Sequence, residues 1–162
     1  MSEIFAPLRE TALKYNMNKS DILKIVKKKL SEKIETLERL ISETRSSNNE
    51  TKSSMGDKYE TSREMVQQQI STLQLQLNEN RKAHTFLITL NVNPHQIIGV
   101  GSLVETDKGL FYIAVSCGEI IYEDKKIFVI SSESPLGAAL LGKKKTEQIT
   151  LNNSAQNIVN IW

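Results

Sequence analysis

Few residues capable of chemistry stand at spacings that would let them work together. His84 and His95 are eleven positions apart, with no cysteine or acid at ligand spacing, so neither a zinc site nor a histidine-based catalytic pair is indicated. Ser131, Ser132 and Ser134 have no histidine at motif distance, which leaves serine hydrolase chemistry unsupported. Gly99-Val100-Gly101-Ser102-Leu103 lacks the third glycine and the following helix of a dinucleotide-binding turn. Cys117, the single cysteine, lies in an apolar stretch between Val115 and Gly118 and reads as a small core residue. It cannot form an intramolecular disulfide, which suits a reducing compartment. Lys24, Lys27, Lys28, Lys29 and Lys33 form one basic run and Lys143-Lys144-Lys145 a second. Both read as solvated faces that could also meet an acidic protein surface or nucleic acid, and neither supports sequence-specific DNA recognition. A net charge of +2 over 162 residues does not demand a nucleic-acid or membrane partner.

The elements around these residues carry more information. Leu23, Val26, Leu30, Ile34, Leu37 and Ile41 step by 3, 4, 4, 3 and 4, which predicts one helix with a single apolar face. The spacing returns in Tyr59, Val66, Ile70, Leu73 and Leu77, with Ser62 or Arg63 at the weak position. Between the two lies a polar stretch, residues 45–57, and the pattern predicts a helical hairpin with arms of about 40 Å at 1.5 Å per residue. A lone helix of this kind is marginal in water, so the two stripes must bury each other. A homodimeric coiled coil is the alternative partner arrangement. Asn18-Lys19-Ser20-Asp21 offers an N-terminal cap with an acid three positions on, and residues 4–17 carry a weaker helical pattern through Leu8, Leu13 and Tyr15. The second arm should end near Asn91-Val92-Asn93-Pro94, because Pro94 disfavours helix in the residue before it.

After residue 93 the pattern changes to strands. Ile97–Glu105 and Leu110–Ser116 flank Asp107-Lys108-Gly109, and Glu119–Tyr122 and Lys126–Ser131 flank Glu123-Asp124-Lys125. Ser134 to Gly142 reads as one short helix, with Ser134 as cap, Pro135 at its first position and Gly142 as its stop. Thr146–Leu151 and Asn157–Trp162 complete the set around Asn152-Asn153-Ser154. The expected architecture is α+β: a helical region over 1–93 with a coiled-coil hairpin, then a small antiparallel β domain over 94–162 with one short helix. With no basic segment followed by an apolar run at Met1–Pro7, and no window approaching the ~20 apolar residues of a membrane span, a cytoplasmic protein is expected.

Two segments carry a resemblance. Glu133-Ser134-Pro135-Leu136-Gly137-Ala138-Ala139-Leu140-Leu141-Gly142-Lys143 resembles the SP-(I/L)-A-x-x-L-(I/L)-G-K segment of the bacterial Gre family of transcript-cleavage elongation factors, and Asp57-Lys58-Tyr59-Glu60-Thr61-Ser62-Arg63-Glu64 is similar to that family's A-E-Y-H-A-A-R-E. The resemblance implies a coiled-coil hairpin followed by a domain related to FK506-binding proteins. It implies RNA polymerase as partner, with the hairpin in the secondary channel, the C-terminal domain on the channel rim and indirect contact with nascent RNA. Ser134, Pro135, Leu140, Leu141, Gly142 and Lys143 are the matching positions for polymerase binding. The factor itself would be a monomer without a cofactor of its own.

In that family, acids at the hairpin tip help hold a second Mg²⁺ in the polymerase active site, because a hard cation bridging phosphate and water needs carboxylates. Aligned on Tyr59, the two usual acid positions fall on Lys52 and Met55, and neither can bind Mg²⁺. The candidates left are Glu50, Asp57 and Glu60, interleaved with Arg45, Lys52 and Lys58, with Glu50 and Asp57 as the pair that could share the polymerase's Mg²⁺. Asp57 also has capping-box spacing from Ser54. The resemblance therefore implies an accessory factor rather than an enzyme. Two other readings are a non-cleaving channel regulator and a coiled-coil interaction module. Kinship to prolyl isomerases adds an enzymatic alternative, with Phe111, Tyr112, Tyr122, Phe128 and Trp162 as the aromatics available for a pocket.

Overall fold

In a computed structural model of the chain, residues 16–50 and 58–162 are described. The expected helix over residues 4–17 falls outside them except for Asn16 and Met17, which are not helical. The first helix, α1 (Lys19–Glu50), is opened by Asn18, whose side-chain oxygen accepts from the N–H groups of Ser20 (3.0 Å) and Asp21 (3.3 Å). The second helix, α2, spans Lys58–Thr89. Each has 32 residues and is about 48 Å long at a 1.5 Å rise. Arg45 to Glu50 continue α1, so the polar stretch expected to start the tip is helical up to residue 50. Polar residues can extend a helix into solvent once the apolar seam below has nucleated it.

Contacts with near-constant index sums make the pair antiparallel. Arg81 meets Glu38 at 2.5 Å and His84 meets Ser31 at 3.2 Å. Leu37, Ile41, Ile70 and Leu77 are buried between the helices, with Ile34, Val66 and Leu73 beside them. The seam foreseen from the heptad spacing is closed within one chain.

Six strands follow: β1 (Leu103–Thr106), β2 (Gly109–Ala114), β3 (Gly118–Tyr122), β4 (Lys125–Ser131), then the short helix α3 (Pro135–Leu140), β5 (Gln148–Leu151) and β6 (Ser154–Ile161). Their order in the sheet is β3-β4-β2-β1-β6-β5. The expectation of a wholly antiparallel sheet is corrected at one place, since β2 and β4 run parallel, with Phe111 beside Phe128. The chain leaves β2, forms the edge as β3, and turns back so that β4 lies between them. Turn residues reveal that β3 and β4 form a hairpin, but not which member lies inside. The first strand is also shorter than expected, because Ile97–Ser102 is occupied by a turn with Gly101 at φ +92°.

Neighbouring residues on a strand point to opposite faces, and both faces are covered. On one side Leu103, Tyr112, Ala114, Ile127 and Val129 pack with Met17, Ile22, Leu23, Val26, Leu30 and Leu87 from the base of the hairpin. On the other, Val104, Ile113, Ile149 and Ile158 pack with Leu140 of α3 and with Ile98. One core thus runs across the linker at residues 93 and 94.

Candidate functional site

The far end of the hairpin is bounded by Glu50, which ends α1, and Lys58, which opens α2. Lys52, Met55 and Asp57 lie outside the described residues, as do the side chains of Glu50 and Tyr59. Glu60 is described: it is exposed in the first turn of α2, where a carboxylate is favoured by the positive end of the helix dipole. Among the described residues, no group of three or more His, Cys, Asp or Glu side chains could hold a metal ion.

The Ser134–Lys143 segment is a compact structural unit. Ser134 Oγ accepts from the Gly137 N–H at 3.0 Å and donates to the Ser131 main-chain oxygen at 2.7 Å, capping α3 while tying it to the end of β4. Pro135 occupies the first turn, where its missing N–H costs nothing. A Cβ on Gly137 would stand 2.1 Å from the Ser131 oxygen, so only glycine allows this approach. Gly142, at φ +79°, donates to Ile98 O at 2.8 Å, and Ile98 N–H donates to Lys143 O at 2.8 Å. Leu140 is fully buried, Lys143 is half-buried, and Pro135 and Leu141 face outward. Of the six matching positions, Ser134, Leu140 and Gly142 hold the fold, leaving Pro135, Leu141 and the lysine run as the accessible surface.

The aromatics do not share a pocket. Tyr112, Tyr122 and Trp162 belong to the core facing the hairpin. Phe111 and Phe128, stacked with centroids 5.9 Å apart, belong to strand positions that alternate with it and face the other side. His84 spans the hairpin to Ser31, and His95 Nδ1 lies 2.5 Å from Ser102 Oγ, which also accepts from the Gly99 N–H at 2.9 Å. Burial, and then the charge of Lys19, hold His95 below its ordinary pKa. Cys117 is half-buried, and burial raises its thiol while Lys29 and Lys33 pull the other way. In the first lysine run, Lys24 pairs with Asp21 at 3.6 Å and Lys29 Nζ donates to Glu119 O at 2.5 Å.

Sequence reasoning missed Lys19, which is buried to 4% exposure where the hairpin meets the sheet. Its Nζ donates to the main-chain oxygens of Asn93 (2.6 Å), Gly101 (2.9 Å) and Trp162 (3.1 Å). The signal was present in the spacing: Lys19 stands four positions before Leu23, on the same stripe that continues through Val26 and Leu30. Beside it, Asn16, Met17, Asn18, Val92, Pro94 and Trp162 line a cavity of about 330 Å³.

No protein-family model and no curated protein matches this chain. Solved structures with a related arrangement of elements include the transcription factor Gfh1, at 18% identity over 85% of this chain and 94% of the other, with a TM-score of 0.39. The GreA factor homolog 1 (Gfh1) of Thermus thermophilus aligns at 18% identity over 84% of this chain and 94% of its own, with a TM-score of 0.35. Gfh1 of Thermus aquaticus aligns at 19% identity over 85% and 94%, also with a TM-score of 0.35. Similarity at this level concerns fold alone and assigns no activity.

Proposed function

We propose that this protein is a transcription elongation factor that binds RNA polymerase, inserting its hairpin into the secondary channel and acting on backtracked or paused complexes. The observation that carries the reading is the hairpin itself. Its apolar seam is closed by the chain's own two helices, while its surface beyond the base is mostly polar and exposed. A slender element of that kind suits reaching rather than pairing. The outward residues of the Ser134–Lys143 segment, Pro135, Leu141 and Lys143–Lys145, are the surface we assign to the channel rim. The factor acts as a monomer in the cytoplasm and brings no cofactor of its own.

A second reading, occupation of the channel without cleavage, is favoured by Lys52 and Met55 standing where the related motif has acids. If Glu50 and Asp57 do share the polymerase's Mg²⁺, they act from a rearranged tip. The test is co-purification with RNA polymerase followed by RNA cleavage in stalled, backtracked complexes. Loss of stimulated cleavage in Glu50→Ala/Asp57→Ala, with polymerase binding retained, supports the cleaving form. Binding without any stimulated cleavage by the native protein leaves the channel-occupying form, and no polymerase binding removes both.

A further inference from the structure

We infer that Lys19 is a directional clasp that fixes the angle at which the hairpin leaves the sheet. All three ammonium protons are used, and each acceptor belongs to a different segment. Asn93 lies in the linker after α2, Gly101 in the turn before β1, and Trp162 next to β6. Trp162 is itself held on β1, exchanging hydrogen bonds with Leu103 at 2.9 and 3.3 Å. One atom therefore joins the first residue of the hairpin to its exit and to two places on the sheet.

No side-chain carboxylate is among these partners, and main-chain oxygens alone receive the buried ammonium. Burying an ammonium is costly, and an aliphatic side chain would avoid that desolvation only by leaving the main-chain oxygens without their donor. What an aliphatic residue cannot supply is direction. The surrounding contacts of Met17, Ile22, Leu23, Val26 and Leu87 with the sheet are apolar, and apolar burial depends on area far more than on angle. Three hydrogen bonds to main-chain oxygens of three separate segments restrict both rotation and sliding.

The hairpin magnifies any slack at this point. A swing of ~10° at the base moves the far end of a ~48 Å helix by ~8 Å. Such a displacement decides whether the end reaches its target, whatever that target is, so the inference does not depend on the proposed function.

Spin labels at Arg45→Cys on α1 and Thr150→Cys on β5, both exposed positions, in a Cys117→Ala background of the full chain, give the test by pulsed electron resonance. The native clasp should yield one narrow distance distribution. Lys19→Met should at least double its width, about the spread a 10° swing produces, while helix content by circular dichroism stays native. If Lys19→Met does not fold, Lys19→Gln, which keeps an amide donor but not the reach, is measured in its place with the same expectation. An unchanged distribution in a folded variant overturns the clasp, and so does a broad distribution in the parent with Lys19 intact.

Discussion

At the scale of single residues, two buried polar groups behave in opposite ways. Lys19 has every donor satisfied, yet burial pulls its ammonium from the ordinary 10.5 down to about 8. The unfolded chain keeps that proton up to about pH 10.5, so between pH 8 and 10.5 the unfolded state binds more protons and native stability rises with pH. The three main-chain oxygens favour the ammonium and make the rise smaller than burial alone would give. Lys19→Met removes this rise. At pH 7 it costs roughly 1–3 kcal/mol, because the Asn93 and Gly101 oxygens lose their donor. Urea titrations of both proteins across pH 7 to 10.5 check both statements, and parallel pH profiles would refute the assignment. Tyr112 is the contrary case: its hydroxyl is buried with no partner among the described residues, and burial pushes its pKa up to about 12. Tyr112→Phe removes an unsatisfied group without changing the packing and should raise stability by about 1 kcal/mol in the same titration. A loss of stability would reveal a buried water bound to the hydroxyl.

At the scale of elements, α3 rests on two local requirements of different kinds. Ser134→Ala removes a cap and should cost about 1 kcal/mol. Gly137→Ala forces a methyl group into the space 2.1 Å from the Ser131 oxygen and should cost more than the cap, because main chain rather than a flexible side chain has to move. Thermal denaturation of the two variants ranks them, and the reverse order would mean that α3 shifts freely on the sheet. Both residues were legible in advance as parts of one helix, since Ser-Pro at its start and Gly at its end are local signals. The hairpin was legible for the same reason, as Leu37, Ile41, Ile70 and Leu77 repeat at helical spacing. The turns at Glu123-Asp124 and Asn152-Asn153 were found too, and their positive φ values confirm the tight reversals. Non-local choices were hidden. Nothing near Phe111 announces a parallel neighbour seventeen residues later, and Ile97–Ser102 looks apolar enough for a strand until Gly101 turns it. At the candidate site, the acids at the tip and the Ser134–Lys143 segment could be named from the sequence. That Ser134, Leu140 and Gly142 are taken up by the fold could not, because capping, burial and the Ile98 contact depend on distant chain.

For the whole molecule, one core joins the base of the hairpin to the sheet, and this bears on how the protein associates. Leu30 and Leu87 at the base, and Leu37, Ile41, Ile70 and Leu77 above it, are already buried within the chain. A homodimeric coiled coil would have to open that seam and expose it before regaining a similar area, with the added entropic cost of joining two chains. The large apolar residues left exposed on the described hairpin, Leu40, Met65, Leu75, Phe86 and Ile88, include no two that stand three or four positions apart, so they do not make a second continuous stripe. Sedimentation should therefore give a monomer of 18.3 kDa across the micromolar range, with the raised frictional ratio of a body carrying a ~48 Å projection. Ile70→Ala separates the two arrangements further. In a monomer it should cost about 2–5 kcal/mol, and the unfolding midpoint should stay independent of protein concentration. A midpoint that rises with concentration would place the seam between two chains, and the hairpin would then be a pairing device instead of a reaching one.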